Sequence, residues 1–124
     1  MDKFLTTQPI YVQIMDRIKK EIVSETIKSG QLLPSVRDLA LKYQVNPNTT
    51  QRALSELERS GLVKSDRTIG RYVTDDVALI QNLHDQMVIN IVNEFVNEVV
   101  ELKVSEKDSL SYISQVFKER DRND

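Results

Sequence analysis

The 124-residue sequence contains no cysteine. That excludes a disulfide framework, a zinc ribbon and thiol chemistry. It has a single histidine, His84, beside Asp85. The ligand sets expected of zinc or manganese are therefore absent, and His84 reads as interface packing or as a partner of Asp85. No apolar run approaches the ~20 residues that a membrane helix needs, and the opening MDKFLTTQ lacks a signal-peptide layout. A cytoplasmic protein with no membrane partner is the expectation. There is no nucleophile elbow, no phosphate-cradling glycine loop and no pair of catalytic carboxylates. Glu94, Glu98 and Glu101 do recur at helical spacing, but without histidine support they read as a solvated stripe. Neither metal nor cofactor is expected, and a small enzyme is the weakest of the readings below.

What is present is an uneven distribution of charge. The net charge is −2, but residues 1–74 carry +4 and residues 75–124 carry −6. A basic front and an acidic back suit a protein that meets phosphate with one end only. The composition changes at the same place, so the expected organisation is residues 1–74 as one domain and 75–124 as an appended segment.

The stretch from Leu33 to Gly61 organises the front half. Ser35 is placed to cap a short helix, with Asp38 adding negative charge in its first turn. That helix turns Leu39 and Ala40 inward and fades at Tyr43-Gln44. Asn46 is a second N-cap, with Pro47 at N1, where its missing N–H costs nothing. Thr50, Ala53, Leu54 and Leu57 then form a buried stripe. Asn48, Gln51, Arg52 and Ser55 form the opposite, hydrogen-bonding stripe, and Gly61 ends the helix. Two short capped helices joined by a turn, the second with an amide- and guanidinium-bearing face, make the layout of a helix-turn-helix.

Upstream, Thr7 or Gln8 is placed to cap a helix with Pro9 in its first turn, running to about Ser29. Tyr11, Ile14, Ile18, Ile22 and Val23 share its apolar face. Leu32-Leu33 can supply a third strand to a small sheet. Downstream, Leu62–Ser65 and Arg71–Thr74 read as strands joined by a turn at Asp66–Gly70. Arg67 and Arg71 are expected at the hairpin tip. The expected fold is mostly α with a small β-hairpin: a winged helix-turn-helix followed by two C-terminal helices.

In those two helices Val77, Ile80, His84, Met87, Val88, Ile91, Phe95, Val99 and Leu102 keep a three-four rhythm, widened by Val92, Val96 and Val100. The first would span about 28 residues, roughly 42 Å. Ser105 is placed to cap the second, whose inner face is Leu110, Ile113, Val116 and Phe117, and Lys118–Asp124 reads as a frayed tail. A domain of this size cannot cover so long an apolar face. The expectation is a homodimer with Ile80, Met87, Val88, Ile91, Val92, Phe95 and Val99 at its interface.

Four separate segments, Pro9–Ile14, Leu33–Ala40, Val45–Leu54 and Leu57–Leu62, resemble the GntR family of bacterial transcriptional regulators in order and spacing. The short C-terminus is similar to the YtrA-like branch. The resemblance implies a homodimeric repressor bound to a double-stranded, pseudo-palindromic operator. It implies DNA contacts from Ser35 and Arg37, from Asn48, Thr49, Gln51 and Arg52, and from a wing at Arg67, Thr68, Gly70 and Arg71. Pro47 stands where many relatives carry a basic residue, and Ile69 where the wing tip is often small or basic.

The chemistry of these residues agrees with that implication. Arg37 lies at a helix N-terminus that already favours anions. Gln51 can bond adenine N6 and N7, and Arg52 can bond guanine or phosphate. Tyr11 and Tyr43 read as packing, and Tyr72 as packing under the wing. The second reading is a winged-helix protein-interaction module without sequence-specific DNA binding, against which the polar α-helical face argues. The sequence leaves open the operator and any small-molecule effector.

Overall fold

The computed structural model describes residues 4–123. Among them are five helices and a two-stranded antiparallel sheet. These are α1 (Ile10–Val23), α2 (Val36–Tyr43), α3 (Pro47–Arg59), β1 (Val63–Asp66), β2 (Gly70–Val73), α4 (Val77–Glu101) and α5 (Glu106–Asn123). The chain divides into two compact units, Met1–His84 and Asp85–Asp124, and the division falls inside α4.

The first unit is a three-helix cluster closed by the hairpin. Ile14, Ile18 and Ile22 of α1 meet Leu39 and Tyr43 of α2 and Ala53, Leu54 and Leu57 of α3. Leu62, Val63 and Val73 cover them from the hairpin. Each fully buried aliphatic side chain contributes about 1.5–3 kcal/mol. The first turns of α4 belong here too, since Ile80 and Leu83 pack against this core.

Local chemistry explains the helix ends. The Ser35 hydroxyl accepts the Asp38 N–H at 3.1 Å, and Asn46 Oδ1 accepts the Asn48 N–H at 2.7 Å. Gln44, between them, takes a left-handed conformation at φ 56°, which turns the chain from α2 into α3. Asp76 caps α4 by accepting the Leu79 N–H at 3.1 Å, and Ser105 caps α5 through the Asp108 N–H at 3.1 Å.

Three sequence expectations are corrected. First, neither Thr7 nor Gln8 caps α1; Pro9 is itself the N-cap, without a side-chain bond. The arm before it is tied instead by Gln13, whose amide accepts from Leu5 N–H (2.7 Å) and donates to the carbonyls of Leu5 (2.8 Å) and Gln8 (3.0 Å). The helix also ends at Val23, short of Ser29. Glu25 turns to φ 62° and the Ile27 N–H reaches back to the Glu21 carbonyl at 2.9 Å, so that Ile27 packs onto the core. Second, Leu32-Leu33 forms no full strand. Leu32 makes a single antiparallel bridge to Tyr72, flanked by Leu33 N–H to Arg71 O and Val73 N–H to Gln31 O, both 2.9 Å. Pro34, which has no N–H to donate, stops it there. Third, the charged tail is helical: residues 118–123 complete α5, and Asp124 lies outside the described residues. Arg120 and Arg122 sit in its last turn, where cations favour the helix end.

In the second unit, no residue of α4 is fully buried and Ser109 is the one buried residue of α5. Val88, Ile91, Val92, Val96, Val100, Leu110, Tyr112, Val116 and Phe117 are exposed. A groove of about 230 Å³ opens between the helices, lined by Phe95, Tyr112, Ile113, Val116, Phe117 and Arg120.

Candidate nucleic-acid interface

The site is built on α3. Its inner stripe, Thr50, Ala53, Leu54 and Leu57, is sealed in the core. Helical geometry therefore presents Asn48, Gln51, Arg52 and Ser55 outward, and all four are exposed. Gln51 Nε2 donates to Ser55 Oγ at 3.2 Å, holding two polar groups of this face together. Thr49 is half-buried at its edge.

Arg52 is held from outside its own helix. Its guanidinium carbon lies 3.9 Å from the centroid of the Tyr11 ring on α1. Its Nη2 donates to the Tyr11 hydroxyl at 3.4 Å. Arg37, in the first turn of α2, is exposed and has no partner among the described residues. In particular, it makes no ion pair with Asp38. Ser35 accepts the capping bond, which leaves its own O–H free to donate.

The hairpin pairs Val63 with Val73 and Asp66 with Gly70. Asp66 Oδ1 accepts the N–H groups of Thr68 (2.7 Å) and Ile69 (3.3 Å). Those bonds, the Thr68 N–H first, hold its carboxyl below the usual aspartate range. Gly70 leaves the turn at φ 101°, which a side chain would resist. Arg67, Thr68 and Ile69 are exposed at the tip.

Arg71 is placed differently from the expectation that it would stand at the tip beside Arg67. It lies in β2, half-buried, and its Nε donates to Glu58 Oε1 on α3. The same oxygen accepts the Ser65 hydroxyl from β1 at 2.7 Å. The Ser65 bond, then the Arg71 bond, lower the Glu58 carboxyl below its ordinary value. One carboxylate thus fastens both strands of the hairpin to α3.

The family model for bacterial regulatory proteins of the gntR family matches residues 10–73, more than half of the chain. The chain belongs to the GntR family. It is 35% identical over 112 residues to the uncharacterized HTH-type transcriptional regulator YhcF of Bacillus subtilis, covering 90% of this chain and 93% of that protein. It is 39% identical over 71 residues to the HTH-type transcriptional repressor YtrA of the same organism, covering 57% of this chain and 55% of that protein. Among solved structures, a GntR family transcriptional regulator from Listeria monocytogenes superimposes with a TM-score of 0.85 at 35% identity, covering 90% of this chain and 98% of that one.

The GntR-type first unit brings together Asn48, Gln51 and Arg52 on one helix face, with Thr49 at its rim. Ser35 and Arg37 stand at the N-terminus of α2, and Arg67, Thr68 and Gly70 at the hairpin. A cleft of about 390 Å³ runs between the last two groups, lined by Ser35, Val36, Asp66, Ile69, Gly70 and Arg71 among others. Of the residues expected at a dimer interface, Ile80 is half-buried on the core of the first unit. Met87, Phe95 and Val99 are half-buried within the second, and Val88, Ile91 and Val92 are exposed. No three His, Asp or Glu side chains converge as a metal site among the described residues. No helix among them is long and apolar enough to cross a membrane.

Sequence reasoning missed Tyr11 and Glu58. Tyr11 shares a stripe with Ile14 and Ile18, which signals packing but not its position beside Arg52. Glu58 looks like an ordinary exposed helix charge, and only the hairpin's fold brings Ser65 and Arg71 to it.

Proposed function

We propose that this GntR-family regulator is a homodimeric repressor that reads an inverted-repeat DNA operator with one α3 from each subunit. The observation that carries the reading is the exposed face of α3. Asn48, Gln51, Arg52 and Ser55 offer amide, guanidinium and hydroxyl groups of the kind that bond base edges in a major groove. Arg37 on α2 and Arg67 on the wing flank that face with cations suited to phosphate, which positions the reader without specifying sequence. The +4 charge of residues 1–74 supports the same orientation.

The second unit supports the dimer. Its aliphatic and aromatic side chains stay exposed along both helices, and the groove at Phe95 and Phe117 is apolar. A patch of that kind on a soluble chain marks an association surface, and a second copy supplies a matching one. The similarity to the repressor YtrA supports repression as the outcome of binding. The site of action is the cytoplasm, where operator DNA is found.

The test begins with selection of bound fragments from genomic DNA, followed by titration of the selected duplex at several salt concentrations. A steeply negative slope of log K against log[salt], with a large preference over scrambled duplex, is expected. Equal affinity for selected and scrambled duplexes would refute operator reading.

A further inference from the structure

We propose that Tyr11 is a positioning residue for DNA reading: it holds the Arg52 guanidinium in the orientation in which α3 delivers it to a base edge. The inference rests on the proposal that the α3 face meets the operator. An exposed arginine has several rotatable bonds, and ordering it on binding costs conformational entropy. Here that order exists before DNA arrives. The ring of Tyr11 lies 3.9 Å beneath the guanidinium carbon, within cation–π range. The tyrosine hydroxyl accepts from Nη2 at 3.4 Å.

Tyr11 is itself fixed. It is half-buried against the core and stands one residue into α1. The residue two positions on, Gln13, ties down the arm that precedes the helix. The support for Arg52 is therefore α1 and not a mobile loop.

The chemistry leaves the arginine usable. The ring occupies one face of the planar guanidinium, and its hydroxyl takes one N–H of five. The remaining N–H edge retains the fork that guanine O6 and N7 accept in bidentate fashion. A lysine at the same place would lose both the planar stack and the fork. A bidentate contact needs two bonds aligned at once, so fixing the plane in advance raises affinity for the right base more than for phosphate, which accepts from many directions. Tyr11 should therefore act on specificity, although it need not touch DNA.

The experiment measures affinity for the selected operator duplex and for scrambled duplex by fluorescence anisotropy. The proteins are wild type, Arg52→Ala, Tyr11→Leu, Tyr11→Phe and the double variant Tyr11→Leu/Arg52→Ala. Arg52→Ala is expected to lose about tenfold or more on operator and far less on scrambled DNA. Tyr11→Leu keeps the apolar bulk and should lose roughly three- to tenfold on operator, with Tyr11→Phe restoring most of that loss through the retained ring face. The double variant should bind no worse than Arg52→Ala, because the two residues act through one contact.

Undiminished operator affinity in folded Tyr11→Leu, beside a clear loss in Arg52→Ala, overturns the positioning role while leaving the operator reading intact. Losses that multiply in the double variant overturn it in the same way. No loss in Arg52→Ala overturns both. Where Tyr11→Leu does not fold, ¹⁵N relaxation at the Arg52 Nε of the free wild-type protein decides. A side chain more ordered than that of Arg37 supports the role, and one equally mobile overturns it.

Discussion

Glu58 on α3 and Arg71 on β2 form an ion pair that joins the helix to the hairpin. The Ser65 hydroxyl, 2.7 Å from the same Glu58 oxygen, brings in the other strand. In the proposed reading both elements approach DNA, and here they share one fastening. The contact is only partly shielded from solvent, so its contribution to stability is modest, up to about 1 kcal/mol. Its larger consequence is geometric: it fixes the hairpin that carries Arg67 relative to α3.

The Glu58 contact carries a pH dependence whose sign is set by its lowered pKa. A carboxyl depressed in the folded state stabilises it above the unfolded value and loses that contribution as pH falls through the folded value. Wild type should thus be more stable than Glu58→Gln near pH 6, with the difference shrinking below the ordinary glutamate value of 4.5. Thermal melts of both proteins from pH 3 to 7 measure this. A difference that stays constant across the range would show that the ionised pair contributes nothing.

The exposed apolar face of the second unit predicts what happens when it is charged. Phe95→Asp or Val92→Asp should give monomer or insoluble protein, since a carboxylate placed in an apolar interface has no partner. Sedimentation velocity reads the outcome directly, and an unchanged dimer in both variants would move the interface elsewhere. Ile80 offers a contrast: it packs on the core of the first unit, so Ile80→Asp should lower the melting temperature as well.

Much of this architecture was legible because its signals are local. Ser35, Asn46 and Ser105 cap helices within three residues of themselves. The stripe Thr50, Ala53, Leu54 and Leu57 follows from helical period alone. What escaped depends on partners distant in sequence. Tyr11 meets Arg52 across 41 positions, and Arg71 leaves the tip for Glu58 because the hairpin register turns it toward α3. The early end of α1 is a related case, in which burial of Ile27 outweighs continuation of a helix that 24–29 would otherwise tolerate.

Substitution of Arg37 and of Arg52 should separate binding from folding. Arg37 and Arg52 are exposed and outside the core, so Arg37→Ala and Arg52→Ala should melt within about a degree or two of wild type, as surface changes generally do. Operator affinity should nonetheless fall by roughly 1–3 kcal/mol per half-site for a lost base contact. A contact to phosphate alone would instead weaken operator and scrambled DNA alike and reduce the salt slope by about one. Normal affinity in both variants would exclude this face as the docking surface.

The last prediction joins the reading helix to the dimer. If α3 enters a major groove as proposed, one helix covers only a few base pairs, and specific affinity would need two half-sites engaged together. The second engagement is intramolecular, and its advantage vanishes when spacing forbids it. A two-fold dimer places its recognition helices about one helical turn apart, roughly 34–36 Å, or a multiple of that. The operator should accordingly be an inverted repeat of fixed spacing. Five base pairs inserted at its centre turn one half-site to the opposite side of the duplex, and affinity should fall about a hundredfold, toward the non-specific level. Ten inserted base pairs restore the side but not the distance, so recovery should be partial. Footprinting and titration of the three duplexes, together with an isolated half-site, measure each step. Equal affinity for the half-site and the full repeat would rule out paired reading and leave a winged helix that binds DNA one subunit at a time.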